Sequence, residues 1–161
     1  MQTNQITLDL DKFILAKLEQ LDVIGVNVSN LTLDHFAYST SSTAEYEQLI
    51  SDSSQYSIQI AELELKGRRV SFNQLTPAVS SNGFMIDAFE LIEPIPGQIC
   101  TAGLDHIEFV IEDSFESFML AYPNVNWDIT KLNLAKFAKL SYGFEDGTSV
   151  KFHLNNIIDE I

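Results

Sequence analysis

The sequence is poor in the residues that most often announce a function. Its single cysteine, Cys100, excludes an internal disulfide and any zinc motif built on paired cysteines. No basic-then-apolar leader opens it, and no apolar run approaches the roughly 20 residues of a membrane-spanning helix. The expectation is a cytoplasmic protein with no membrane partner. Positive charge is scarce: nine Lys and Arg stand against 23 Asp and Glu, for a net charge of −14. Such a surface repels phosphate backbones, so no nucleic-acid partner is expected. A Gly-rich phosphate loop, a nucleophile motif and a basic aromatic patch are all lacking.

What is present is core-forming material, at 45% hydrophobic residues with eleven Phe, five Tyr and one Trp. That composition is ordinary for a soluble globular chain. The informative feature is a repeat: Leu33-Asp34-His35-Phe36-Ala37-Tyr38 returns as Leu104-Asp105-His106-Ile107-Glu108-Phe109. Each copy reads as a strand followed by a Ser-led helix and further strands. The expected fold is α+β: paired βαβββ modules forming a curved sheet around a cavity, with an additional N-terminal helix. One domain over 1–161 is expected. It divides into a helix and connector at 9–32, modules at 33–97 and 103–154, and a C-terminal segment at 155–161.

Residues 1–8 read as polar and frayed. Leu10, Phe13, Ile14, Leu18 and Leu21 recur at helical spacing and predict an amphipathic packing helix, with dimerisation as its alternative role. Ser42-Thr43-Ala44-Glu45 fits a capping box. Lys66-Gly67-Arg68 reads as a hairpin turn, Pro77–Gly83 as a loop and Phe84–Ile92 as a strand. In the second module Val125–Ile129, Lys136–Tyr142 and Thr148–Leu154 are the strands expected after the helix.

Alternation along strands sorts the side chains by face. His35 and Ala37 share one face of the first strand, and Phe36 and Tyr38 lie on the helix side. By the same rule His106 shares a face with Glu108, Glu90 with Ala88, and Lys151 with His153. His35, Glu90, His106 and Lys151 or His153 can therefore line one cavity. A His/His/Glu set suits zinc, iron, manganese or nickel. All three histidines of the chain fall at equivalent points of the two modules. Arg69 is a further candidate for the cavity, with Arg68 in the turn.

Paired modules with this layout resemble the vicinal oxygen chelate superfamily, which includes glyoxalase I and extradiol dioxygenases. More closely, the chain is similar to the superfamily's YecM-like branch, through Asp34-His35, Gly67-Arg68, Glu90-Leu91, His106-Ile107-Glu108 and Asp146-Gly147…Lys151-Phe152-His153. The resemblance implies His35, Glu90 and His106 as metal ligands. A Glu usually follows the final hairpin Gly by four residues, and here that place holds Lys151. Either His153 is then the fourth ligand or three protein ligands suffice.

The expected function is divalent-metal binding, with the cation serving a small substrate that carries adjacent oxygens. A metal-dependent lyase, isomerase or oxygenase would use Glu108 as general base and Lys151 to pair with negative charge. The alternatives are a non-catalytic module that binds a small ligand or metal, and a structural interaction protein, with a homodimer compatible with each.

Overall fold

The computed structural model describes residues 4–161. Helix α1 (Leu10–Val23) precedes a first module of β1 (Thr32–Ser39), α2 (Thr43–Ser53), β2 (Ser57–Leu65), β3 (Arg68–Ser81) and β4 (Phe84–Ile92). The second module consists of β5 (Gly103–Val110), α3 (Phe115–Ala121), β6 (Leu140–Gly143) and β7 (Ser149–His153), and α4 (Ile157–Glu160) follows. The seven strands form one curved mixed sheet in the order β2-β3-β4-β1-β5-β7-β6. Within each module the first and last strands run parallel, β1 with β4 and β5 with β7, and β1 meets β5 antiparallel at the centre. The α+β architecture of paired modules expected from the repeat is what the chain adopts.

Local chemistry accounts for the element ends. Ser42 accepts a hydrogen bond from the Glu45 amide at 3.0 Å, and the Glu45 carboxylate accepts one from the Ser41 amide at 2.8 Å. The first bond satisfies one of the four unpaired amides at the start of α2, and the second fixes the chain just ahead of the cap. Lys66-Gly67 and Asn82-Gly83 close the β2–β3 and β3–β4 hairpins as two-residue turns. All four of these residues have positive φ, as a turn matched to strand twist requires.

Three expectations need correction. The stretch 77–83 is mostly strand: β3 runs on to Ser81 across an irregularity between Gln74 and Val79, and only Asn82-Gly83 turns. In the second module the expected strand 125–129 is one bridge, Asp128 to Ser141, and β6 begins only at Leu140. Too few alternating apolar residues lie there to hold a longer edge strand, and the segment instead leans on Trp127 and Phe137. Of the stretch 1–8 expected to fray, residues 1–3 lie outside the described residues, and Ile6 is fully buried.

The main core lies between the sheet and α1, α2 and α3, where Phe36, Phe89, Phe109 and Phe152 are buried. A smaller apolar cluster of Ala37, Val70, Phe72, Ala88, Ile92 and Ile157 occupies the opposite face. There Phe72 stacks on Phe137 at 5.8 Å between ring centroids.

Helix α1 is tied to the second module by an unusual anchor. Lys17 is 1% exposed and pairs with Asp146 at 3.1 Å, with Gln20 and Thr148 as further partners. Its ammonium also lies over the Phe13 and Phe144 rings. Replacing Lys17 by alanine removes the buried cation and its packing and leaves Asp146, which is half-exposed and so screened by water. Lys17→Ala is expected to cost about 2 kcal/mol, below the roughly 3–5 kcal/mol of a pair buried on both sides because Asp146 is half-exposed, measured from the urea midpoint. An unchanged midpoint would show that Lys17 contributes nothing.

Candidate metal centre

The site is built from two rows of residues running across the four central strands. In one row Glu90 of β4, Ala37 of β1, His106 of β5 and Ser149 of β7 are neighbours. In the next row Ala88, His35, Glu108 and Lys151 follow in the same strand order. Ala37 and Ala88 keep the surface low on the β1 and β4 side, and the longer side chains converge over them. His35, Glu90, His106 and Glu108 each bring one ligand-capable atom into a group within 4.8 Å of one another, and all four are buried. A second such group comprises Asp34, His35 and His153.

The two Leu-Asp-His copies share a backbone device. The β1–β5 register slips between Leu33 and His35, where Asp34 is the extra residue on β1. It slips again between Ala37 and Tyr38, where Asp105 is the extra residue on β5. A bulge places two consecutive side chains on the same side of a strand, against simple alternation. Each Asp therefore reaches the His that follows it: Asp34 to His35 Nδ1 at 2.7 Å, and Asp105 to His106 Nδ1 at 2.7 Å. Asp34 also accepts the Ile157 amide at 3.0 Å, which joins the site to α4.

This arrangement sets the tautomer. With Nδ1–H donated to an aspartate, each neutral imidazole turns a bare Nε2 lone pair inward. What faces those lone pairs is anionic. His35 Nε2 lies 3.1 Å from Glu90 and 3.6 Å from Glu108; His106 Nε2 lies 3.4 Å from Glu108 and 3.6 Å from Glu90. Lone pair against carboxylate is repulsive unless a proton or a metal cation lies between them. Burial by itself would lower His35, but Glu108, Glu90 and Asp34 outweigh it and hold it well above its ordinary value. His106 is raised in the same sense, against burial and Lys151, by its bond to Asp105 and by the nearby carboxylates of Glu108 and Glu90. Burial would raise Glu90 and Glu108, yet His35 and His106 hold both well below the usual carboxylate range, with Lys139 adding to the effect at Glu108.

Protons alone leave the group incompletely satisfied. Among the described residues, His106 Nε2 and both Glu108 oxygens are buried with no hydrogen-bond partner. Unpaired buried polar atoms are rare in folded proteins, and here three of them belong to two residues of one ligand-capable group. The donor set of imidazole and carboxylate fits a borderline first-row divalent ion.

Of the residues singled out from sequence, His35, Glu90 and His106 come together. Glu108, expected as a base, joins the same group. His153 lies one step aside, with Nδ1 3.3 Å from Glu108 and Nε2 3.5 Å from Asp34, and burial lowers its basicity. Lys151 lines the adjoining cavity, and burial lowers it too, against the pull of Glu108. Arg69 must be corrected: its guanidinium bonds Glu93 at 2.9 Å and 3.1 Å and lies over the Tyr46 ring, on the far face of the sheet. Because β3 starts directly after Gly67, alternation puts Arg68, Val70 and Phe72 on the cavity side, so Arg68 and not Arg69 faces it. The two aspartates were not anticipated as site residues, although the repeated Leu-Asp-His carried the signal.

Among the described residues no helix is long and apolar enough to cross a membrane. A search of curated protein sequences finds no match. Among solved structures, one described as Protein EC4020 aligns with a TM-score of 0.77 at 22% identity, covering 99% of this chain and 97% of that one. A methylmalonyl-CoA epimerase aligns at 0.52 and 14%, covering 75% of this chain and 92% of its own. Hypothetical protein BH1468 from Bacillus halodurans aligns at 0.50 and 14%, covering 79% and 96%. At these identities the likeness is one of fold. The model of the family described as YecM protein matches residues 2–157. The chain belongs to the YecM family and is built on the fold of the vicinal oxygen chelate superfamily.

Proposed function

We propose that this chain binds one divalent first-row metal through His35, Glu90, His106 and Glu108, and presents it to a small ligand with adjacent oxygens. The observation that carries this reading is that His106 Nε2 and both Glu108 oxygens are buried without a hydrogen-bond partner among the described residues, in a group where one ligand atom each of His35, Glu90, His106 and Glu108 lies within 4.8 Å of the others. The charge balance supports it, because two glutamates offset a divalent ion without help. Glu108 becomes a ligand in this reading and His153 supports it from behind. Lys151 stands beside Glu108 in register, so the carboxylate that superfamily enzymes carry on the last strand is supplied here from the neighbouring β5.

When bound, a divalent ion supplies Lewis-acid polarisation of a ligand oxygen. The protein's own residues do the rest. Asp34 and Asp105 fix the tautomers of His35 and His106. Lys139, 3.5 Å from Glu108, tempers the local negative charge. Phe72, Phe137 and Ile157 supply the apolar part of the wall.

Calorimetric titration of chelator-stripped protein with zinc, iron(II), manganese and nickel tests the reading. One ion per chain is expected, with a proton released from His35 or His106 on binding. If none of the four binds more tightly than about 10 μM, weak for a site of this kind, the reading is wrong. Incubating the loaded protein with α-hydroxyketones, vicinal diols and thiohemiacetals then separates turnover from retention. Conversion makes it an enzyme, and binding without conversion makes it a sequestration module.

A further inference from the structure

Cations are rare in this chain, and most of them are in one place. Six of its nine Lys and Arg residues, Lys66, Arg68, Lys131, Lys136, Lys139 and Lys151, line a single cavity of about 270 Å³. They come from the β2–β3 turn, the start of β3, the segment between α3 and β6, and β7. The same cavity is lined by Glu90 and His106, so it opens onto the metal-ligand group.

These cations are not spent on ion pairs. Of these six, only Lys139 has a carboxylate of the described residues within ion-pair distance, Glu108 at 3.5 Å, and Lys66, Arg68, Lys131, Lys136 and Lys151 have none. The Arg68 Nε is buried with no hydrogen-bond partner among the described residues. A shortage of acids is not the reason, since the chain has 23. Like charges gathered in a partly enclosed space repel one another. The strain is visible at Lys131, which burial and then its neighbours Lys66, Lys151 and Lys139 push down to about 8. A fold that holds unpaired cations together in this way is matched to an anion that the chain itself does not supply.

We propose that the ligand of this site is a small polyanion. One end offers adjacent oxygens to the His/Glu group, and a second anionic group, a phosphate ester or a carboxylate, is held by Arg68, Lys131, Lys151 and the rim residues Lys66 and Lys136. The first half rests on the metal reading above; the second half rests on the cations alone. At the roughly 30 Å³ that one water occupies, the cavity has room for a ligand of about ten non-hydrogen atoms.

Three probes share an α-hydroxy acid end and differ only at the other: glycerate, malate and 3-phosphoglycerate. Titrating each into metal-free and metal-loaded protein is expected to show malate, 3-phosphoglycerate or both binding at least about tenfold tighter than glycerate, a difference of about 1.4 kcal/mol. Which of the two leads tells carboxylate from phosphate. The preference is expected to weaken between 50 and 300 mM KCl, values chosen to shorten the screening length to several ångströms. In Arg68→Met/Lys131→Met it is expected to fall below about threefold while the metal Kd stays within a factor of about three, because neither side chain belongs to the ligand group. Lys66→Met/Lys136→Met, at two exposed positions, gives the same readout without risk to folding. Equal affinity for all three probes, or a preference that survives both double variants, overturns the proposal. If no metal binds but the preference persists, the cation cavity stands and the metal reading falls.

Discussion

Replacing His106 by alanine is expected to lower divalent-metal affinity by about two to three orders of magnitude, one ligand's share of a four-ligand binding energy. His35→Ala is expected to match it, because the two histidines stand at corresponding positions of the modules and each presents Nε2 to the same point. Asp105→Asn is expected to cost about 10–100-fold, the usual effect of removing the group that orients a ligating imidazole. Asp105 is the cleaner of the two aspartates to test. Its side chain is 40% exposed, whereas Asp34 also holds the Ile157 amide, so a change there disturbs α4 as well. His153→Ala, which removes a neighbour of Glu108 and not a ligand, is expected to change affinity by less than about tenfold. Calorimetry on chelator-stripped variants gives the ordering, with circular dichroism to confirm folding. The ligand assignment is wrong if His106→Ala binds metal within threefold of the parent, or if His153→Ala is the most damaging of the set.

Much of this site is legible from alternation alone, because the Leu-Asp-His repeat lies on regular strands. His35, Glu90 and His106 share a face, and so does Glu108. Three things are not legible by that route, for physical reasons. Strand register is a tertiary property, so nothing in the local sequence says that Glu108 sits opposite His35 or beside Lys151. A bulge breaks the two-residue period at one position, which is how Asp34 and Asp105 come to the side that alternation denies them. The start of β3 decides which of two adjacent arginines faces the cavity, and a one-residue displacement exchanges Arg68 and Arg69. The segment 122–139 is the hardest case. It is irregular, held by contacts such as Phe137 to Phe72 and the Phe137 amide to Glu160 at 2.9 Å. Its three lysines reach the cavity only because of those long-range contacts.

The metal-free and metal-loaded proteins are expected to respond to pH in opposite senses. In the metal-free fold His35 and His106 have raised proton affinity: burial opposes it, and Glu108, Glu90 and the aspartates prevail. A base whose folded pKa exceeds its unfolded value of about 6.5 contributes stability that is complete below 6.5. That contribution disappears as pH rises through the folded value. Glu90 and Glu108, held low, contribute stability above about 4.5 that is lost as pH falls through their folded values. His153, lowered by burial, acts against the other two histidines and favours higher pH. With two histidines raised and one lowered, metal-free stability is expected to be greatest between about pH 5 and 6.5 and to decline toward 8.5. Metal coordination requires the same two imidazoles without their inward protons, so its contribution grows across that interval. At a free-ion concentration 100 times Kd it adds about 2.7 kcal/mol, a rise of about 5–10 °C in Tm for a chain of this size. Thermal melts at pH 5.5, 6.5, 7.5 and 8.5, with chelator and with saturating metal, are therefore expected to diverge steadily. Parallel curves would mean that protons and metal do not compete for His35 and His106, and that these residues are not the ligands.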